Sequence, residues 1–86
     1  MKVAIFDTYI PRKNGGFMHF DIITPADTSY EQALIFAQEY LRSKSQPILA
    51  LTCKECKFCH LEQVVPSWKT HILRQGYYVH ELKGCN

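Results

Sequence analysis

Two β-rich runs joined by a turn restrict this chain more than any other feature. Residues 2 to 10 alternate in character and are rich in Val, Ile, Phe, Thr and Tyr, and a second such run extends from Phe17 to Thr24. Between them, Lys13-Asn14-Gly15-Gly16 supplies residues that reach left-handed backbone angles at little cost, which is what a tight hairpin turn requires. An antiparallel hairpin is therefore predicted at the start of the chain. Pro25 ends its second strand. Thr28-Ser29-Tyr30-Glu31 then fits a capping box, in which the Thr28 hydroxyl and the Glu31 carboxylate satisfy each other's free backbone N–H groups. A helix to about Arg42 follows, with Tyr30, Ala33, Leu34, Ala37 and Leu41 forming one apolar stripe at three- and four-residue spacing.

Beyond the helix, Pro47-Ile48-Leu49-Ala50-Leu51-Thr52 is a short continuous apolar run and predicts a strand buried on both sides. Pro66 suits the first position of a second helix. Trp68 and Ile72 would face inward, Leu73 is a candidate to join them, and Gly76 would close the helix in the left-handed conformation. A last strand is predicted from Tyr77 to Leu82. The result is a single α+β domain over residues 1–86, a two-layer ββαβαβ arrangement with a mixed sheet: an N-terminal hairpin, then two parallel crossovers, with two helices. In that topology strands two, three and four end at one sheet edge, which brings Cys85 to the cysteines that follow strand three.

Composition excludes several classes. Apolar residues make up 47% of the 86, and charged residues 21%, a globular balance rather than a disordered or membrane one. The net charge of +2 is too small and too scattered to mark a nucleic-acid-binding surface. Only four consecutive apolar residues, Val3 to Phe6, precede Asp7, too few for a signal-peptide core, and no run approaches the roughly 18 of a membrane span. The chain therefore reads as cytoplasmic, where cysteines serve as thiols, metal ligands or redox groups rather than as a disulfide framework.

The segment Cys53-Lys54-Glu55-Cys56-Lys57-Phe58-Cys59-His60 carries the densest chemistry. Thiolates at such spacing can share a tetrahedral zinc ion, with Cys85 supplied by the shared edge and His60, Cys53 or a water completing the site. Cys53, Cys56, Cys59 and Cys85 also match the ligand count of an iron–sulfur cluster, although no proline follows the last cysteine. Cys56-Lys57-Phe58-Cys59-His60 matches the c-type haem attachment pattern, an attachment made after export. A reactive thiol, Cys56 or Cys59 with His60 or His19 as its base, is a further reading. Inert thiols packed as small apolar groups are the bland one. Elsewhere, Asp7 and Thr8 on the first strand fall within reach of His19 and Asp21 on the second. Two aspartates and a histidine suit acid–base work or the support of a metal ligand, and a solvated strand face is the ordinary alternative.

Phe6-Asp7-Thr8-Tyr9, Met18-His19-Phe20-Asp21, Glu55-Cys56 to Phe58-Cys59-His60, Gly76-Tyr77 and Gly84-Cys85-Asn86 together resemble a family of small bacterial proteins, domain of unknown function 2024. The resemblance implies the ββαβαβ fold and brings no activity, substrate or cofactor. It includes counterparts of Cys56, Cys59, His60 and Cys85 but not of Cys53, and it adds weight to Asp7, Tyr9, His19 and Asp21 as a polar cluster. The combined expectation is a binding or interaction module in which Cys56, Cys59 and Cys85, with His60 in support and Cys53 as a substitute ligand, hold zinc. A thiol-dependent enzyme and a scaffold with inert thiols are the alternatives.

Overall fold

The computed structural model describes residues 1–13, 15–46 and 54–85. Strands β1 (Lys2–Pro11) and β2 (Phe17–Pro25) form the hairpin that the turn chemistry predicts, with Asp7 opposite Asp21 and Tyr9 opposite His19. Helix α1 (Tyr30–Ser43) follows. Its capping hydroxyl belongs to Ser29, which accepts from the Gln32 N–H at 3.1 Å, so the cap sits one residue later than Thr28. Strand β3 (Cys56–Gln63), helix α2 (Pro66–Gln75) and strand β4 (Tyr78–Lys83) complete the order. Pro66 opens α2, and Gly76 closes it at φ 98° with its N–H donating to the Ile72 carbonyl, as the sequence predicts.

The sheet corrects the predicted fold class. Its order is β3-β1-β2-β4 and every neighbouring pair is antiparallel, so it is not a mixed sheet with parallel crossovers. The crossovers do not lay successive strands side by side. They carry β3 and β4 to opposite edges of the hairpin, where each pairs antiparallel with the strand it meets. The predicted strand at Pro47–Thr52 is a separate matter. Pro47–Thr52 lies outside the described residues, and β3 is built from the cysteine segment itself.

Alternate side chains of a strand point to opposite faces, and both faces of the hairpin are used. Ala4, Phe6 and Ile10 of β1 join Met18, Phe20 and Ile22 of β2 under Ala33, Ala37, Tyr40 and Leu41 of α1. Val3, Ile5 and Ile23 meet Ile72 of α2 on the other side, flanked by Trp68 and Tyr78. The helices therefore sandwich the sheet, three layers rather than the expected two. Leu73 stays 72% exposed because Ile72 and Trp68 already fill the short contact.

Both outer strands carry a bulge. Cys59 is the extra residue of β3 opposite the Ile5–Phe6 step, and Leu82 that of β4 opposite His19–Phe20. Past β4, Gly84 adopts φ 69°, and a Cβ there would lie 2.1 Å from the Phe17 carbonyl oxygen. Only glycine lets the tail pass this close and bury Cys85, which is 5% exposed. Gly84→Ala should therefore lower stability by more than about 2 kcal/mol in urea denaturation. Gly16→Ala, at φ 75° with open space around it, should cost only about 1 kcal/mol.

Candidate functional site

Helix α2 is only ten residues long and covers the hairpin face around Val3, Ile5 and Ile23. Beyond it the same face turns polar. Strand alternation carries Asp7 and Tyr9 of β1, and His19 and Asp21 of β2, onto this uncovered end. His19 lies diagonally across from Asp7, and its Nε2 is 2.7 Å from Asp7 Oδ1. The directly opposed Tyr9 ring stacks on the imidazole with centroids 4.0 Å apart and planes 10° from parallel. The Asp7 and His19 side chains are only about a quarter exposed, so their contact is partly shielded from water.

Two carboxylates face each other in this setting. Burial pushes the Asp21 carboxyl up to about 6, helped by its hydrogen bond to Asp7 and by the like charge there, against the opposing influence of His19 and His80. Asp21 therefore holds its proton to a higher pH than an ordinary aspartate does. Donor atoms of Asp7, His19 and Asp21 all lie within 4.8 Å of one another. A cavity of about 550 Å³ adjoins them, lined by Tyr9, Gly16, Phe17, His19 and Lys83. Such a set can hold a cation, move a proton, or orient a small ligand that enters the cavity.

The cysteines are dispersed. Cys56 is fully buried on the α1 face, where the Thr8 hydroxyl donates to its sulfur at 3.3 Å and the Tyr30 hydroxyl donates to its carbonyl. Burial pushes this thiol up, with Asp7 and Glu55 adding to the shift and the Thr8 bond opposing it. Cys85 is buried beside β2, its sulfur 3.5 Å from the His19 carbonyl and 3.4 Å from that of Lys83. Both stand at the hairpin-turn end of the sheet, the opposite end from the one at which parallel strands would have gathered them, because Cys56 opens β3 instead of following it; β1 and β2 intervene between their strands. Three strand spacings amount to roughly 14 Å. Among the described residues, no three of Cys56, Cys59, His60 and Cys85 bring their ligand atoms within 4.8 Å of one another. Cys53 lies outside the described residues. Cys59 is exposed, with its sulfur 3.2 Å from His60 Nδ1.

Lys83, Phe17 and Gly16 are the site residues that the sequence analysis did not single out. Lys83 reaches the cavity because β4 pairs with β2 and sets it opposite His19. Nothing in the local sequence announces that pairing.

Fold and site together define a small α/β/α domain with a carboxylate–imidazole cluster at the open end of an antiparallel sheet. Residues 1–82 match the family described as "Domain of unknown function (DUF2024)", and the chain belongs to that family, as its motifs indicate. The NMR structure of protein NE1680 from Nitrosomonas europaea, a structural-genomics target, is similar over 100% of both chains, with 34% identity and a TM-score of 0.85. No curated protein matches. Among the described residues, no helix is long and apolar enough to cross a membrane.

The aspartate pair makes a pH-dependent contribution of known sign. Folded Asp21 keeps its proton to about pH 6, whereas an unfolded aspartate releases it near 4. The stabilisation from that proton is full below about pH 4 and is lost as the pH rises to about 6. Asp21→Asn retains a donor toward Asp7 without the charge. Its melting temperature should stay flat across that window and exceed the parent's by on the order of a few degrees at pH 7.5, measured by differential scanning fluorimetry.

Proposed function

We propose that this domain is a ligand-binding module whose working surface is the open end of the sheet, where Asp7, His19 and Asp21 hold a zinc ion. The carrying observation is the convergence of one imidazole nitrogen and two carboxylates within 4.8 Å of one another. Three such donors leave a fourth position of a zinc tetrahedron for water or a ligand. The cavity beside His19 is the route by which that ligand would arrive. Its volume falls within the range of small-molecule sites, about 300 to 1,000 Å³.

Physical chemistry favours a cation here. Burying a carboxylate beside a second one costs electrostatic energy unless a proton or a metal ion offsets the charge, and the Asp21 carboxyl is raised by its burial first and then by its hydrogen bond to Asp7 and the like charge there. A divalent ion would replace the shared proton and neutralise both groups. The stacked Tyr9 ring limits the freedom of His19, which lowers the entropy lost when its nitrogen binds. This reading moves zinc from the cysteines to the oxygen and nitrogen donors of the hairpin.

Titration calorimetry on untagged, chelator-treated protein tests it. One zinc ion per chain is expected, with affinity falling as the pH drops through about 6 because protons compete at Asp21. His19→Ala and Asp21→Asn should each weaken binding more than about tenfold, and Cys59→Ser and Cys85→Ser should leave it unchanged. Zinc binding that survives Asp21→Asn and vanishes in Cys59→Ser would return the site to the cysteines.

A further inference from the structure

The bulge in β3 creates a second chemical centre on an outer strand, independent of the hairpin cluster. Regular alternation sends adjacent side chains to opposite faces, and a bulge re-aims one of them. Here it brings the exposed Cys59 sulfur to 3.2 Å from Nδ1 of its neighbour His60. The other ring nitrogen, Nε2, lies 3.3 Å from Glu62 Oε2, two residues further along the strand. An Nε2–H donated to that carboxylate leaves the Nδ1 lone pair facing the thiol, the tautomer a base requires. Nucleophile, base and orienting carboxylate thus stand in line.

We propose that Cys59 is a thiol–disulfide exchange site for low-molecular-mass disulfides, with His60 as its general base and Glu62 as the residue that positions His60. The Cys59 proton passes to His60 Nδ1, and the thiolate attacks one sulfur of the incoming disulfide. A bond forms between Cys59 and that sulfur while the original S–S bond breaks. The second sulfur leaves as a thiolate and takes up the proton from His60. No external oxidant is consumed, since the disulfide is reduced as Cys59 is oxidised.

The placement selects this chemistry over acyl transfer. Negative charge develops on the leaving sulfur and not on an oxygen, so the reaction needs an open approach and a base rather than a cradle of N–H donors. Cys59 and both partners are exposed, His60 by 52% and Glu62 by 50% of their side chains. Cys56 and Cys85 are built differently, being buried and hydrogen-bonded to Thr8 and to backbone carbonyls respectively. Among the described thiols, the exchange is thus confined to Cys59, which carries the mixed disulfide.

The test treats reduced, full-length protein with 2-hydroxyethyl disulfide, whose neutrality removes charge steering, and follows adducts by intact mass and peptide mapping. One adduct per chain should form first, at Cys59. At pH 7, His60→Gln should slow it at least about tenfold and Glu62→Gln by a smaller factor. Both variants should converge with the parent at about pH 9.5, where a thiol ionises without a base. These substitutions are on the surface, and the comparison between two pH values on the same folded sample separates lost base catalysis from lost structure. A His60→Gln rate equal to the parent's at pH 7, or a first adduct on another cysteine, would overturn the proposal.

Discussion

Everything else in this domain is hung on the ladder between β1 and β2. The two strands pair over all but the first residue of β1, from Val3 opposite Pro25 to Pro11 opposite Phe17, and each also receives an outer strand on its free side. They are therefore central strands whose two faces must both be covered or made polar. The larger face is covered by α1, with Phe20, Ile22, Ala33, Ala37 and Leu41 essentially without solvent exposure. The smaller face is only partly covered, because α2 contributes one fully packed residue, Ile72. A polar end on that face follows from the length of the helix.

That polar end explains why the strands carry Asp7, His19 and Asp21 in positions that otherwise alternate as core. Apolar side chains there would remain wet, and ordinary solvated charges would not be drawn so close together. Instead, the hairpin register opposes the two aspartates and sets His19 beside Asp7. The resulting repulsion is a local cost that the ladder on both sides is stiff enough to hold. With zinc bound as proposed, stability and binding would pull in opposite directions at Asp21, as expected where a fold positions a site rather than fills a core.

The parts legible in the sequence were those with a local cause. The hairpin, the apolar stripe of α1, Pro66 and Gly76 at the ends of α2, and the reach between Asp7 and His19 all follow from residues near one another in the chain. Strand β3 was illegible because only Cys56 of Cys56–Gln63 is buried, so no alternation of apolar residues marks it. Its Cys and His residues instead suggested a metal-binding loop. Sheet order was hidden for a different reason. Whether β3 and β4 lie together or on opposite sides of the hairpin depends on which edges the crossovers reach, and that decides whether Cys56 and Cys85 can meet. Lys83 entered the cavity through the same unreadable pairing.

The two bulges have a consequence for how this sheet ends. Backbone donors and acceptors along a flat outer strand offer a template on which a further strand can be laid, which is the start of many fibres. Cys59 kinks the ladder on one flank and Leu82 on the other. Neither flank presents an unbroken, evenly spaced row to an approaching chain. Growth along the hydrogen-bonding direction is thus discouraged on both sides, and the residue that breaks the pattern on one of them is the thiol left open to solvent.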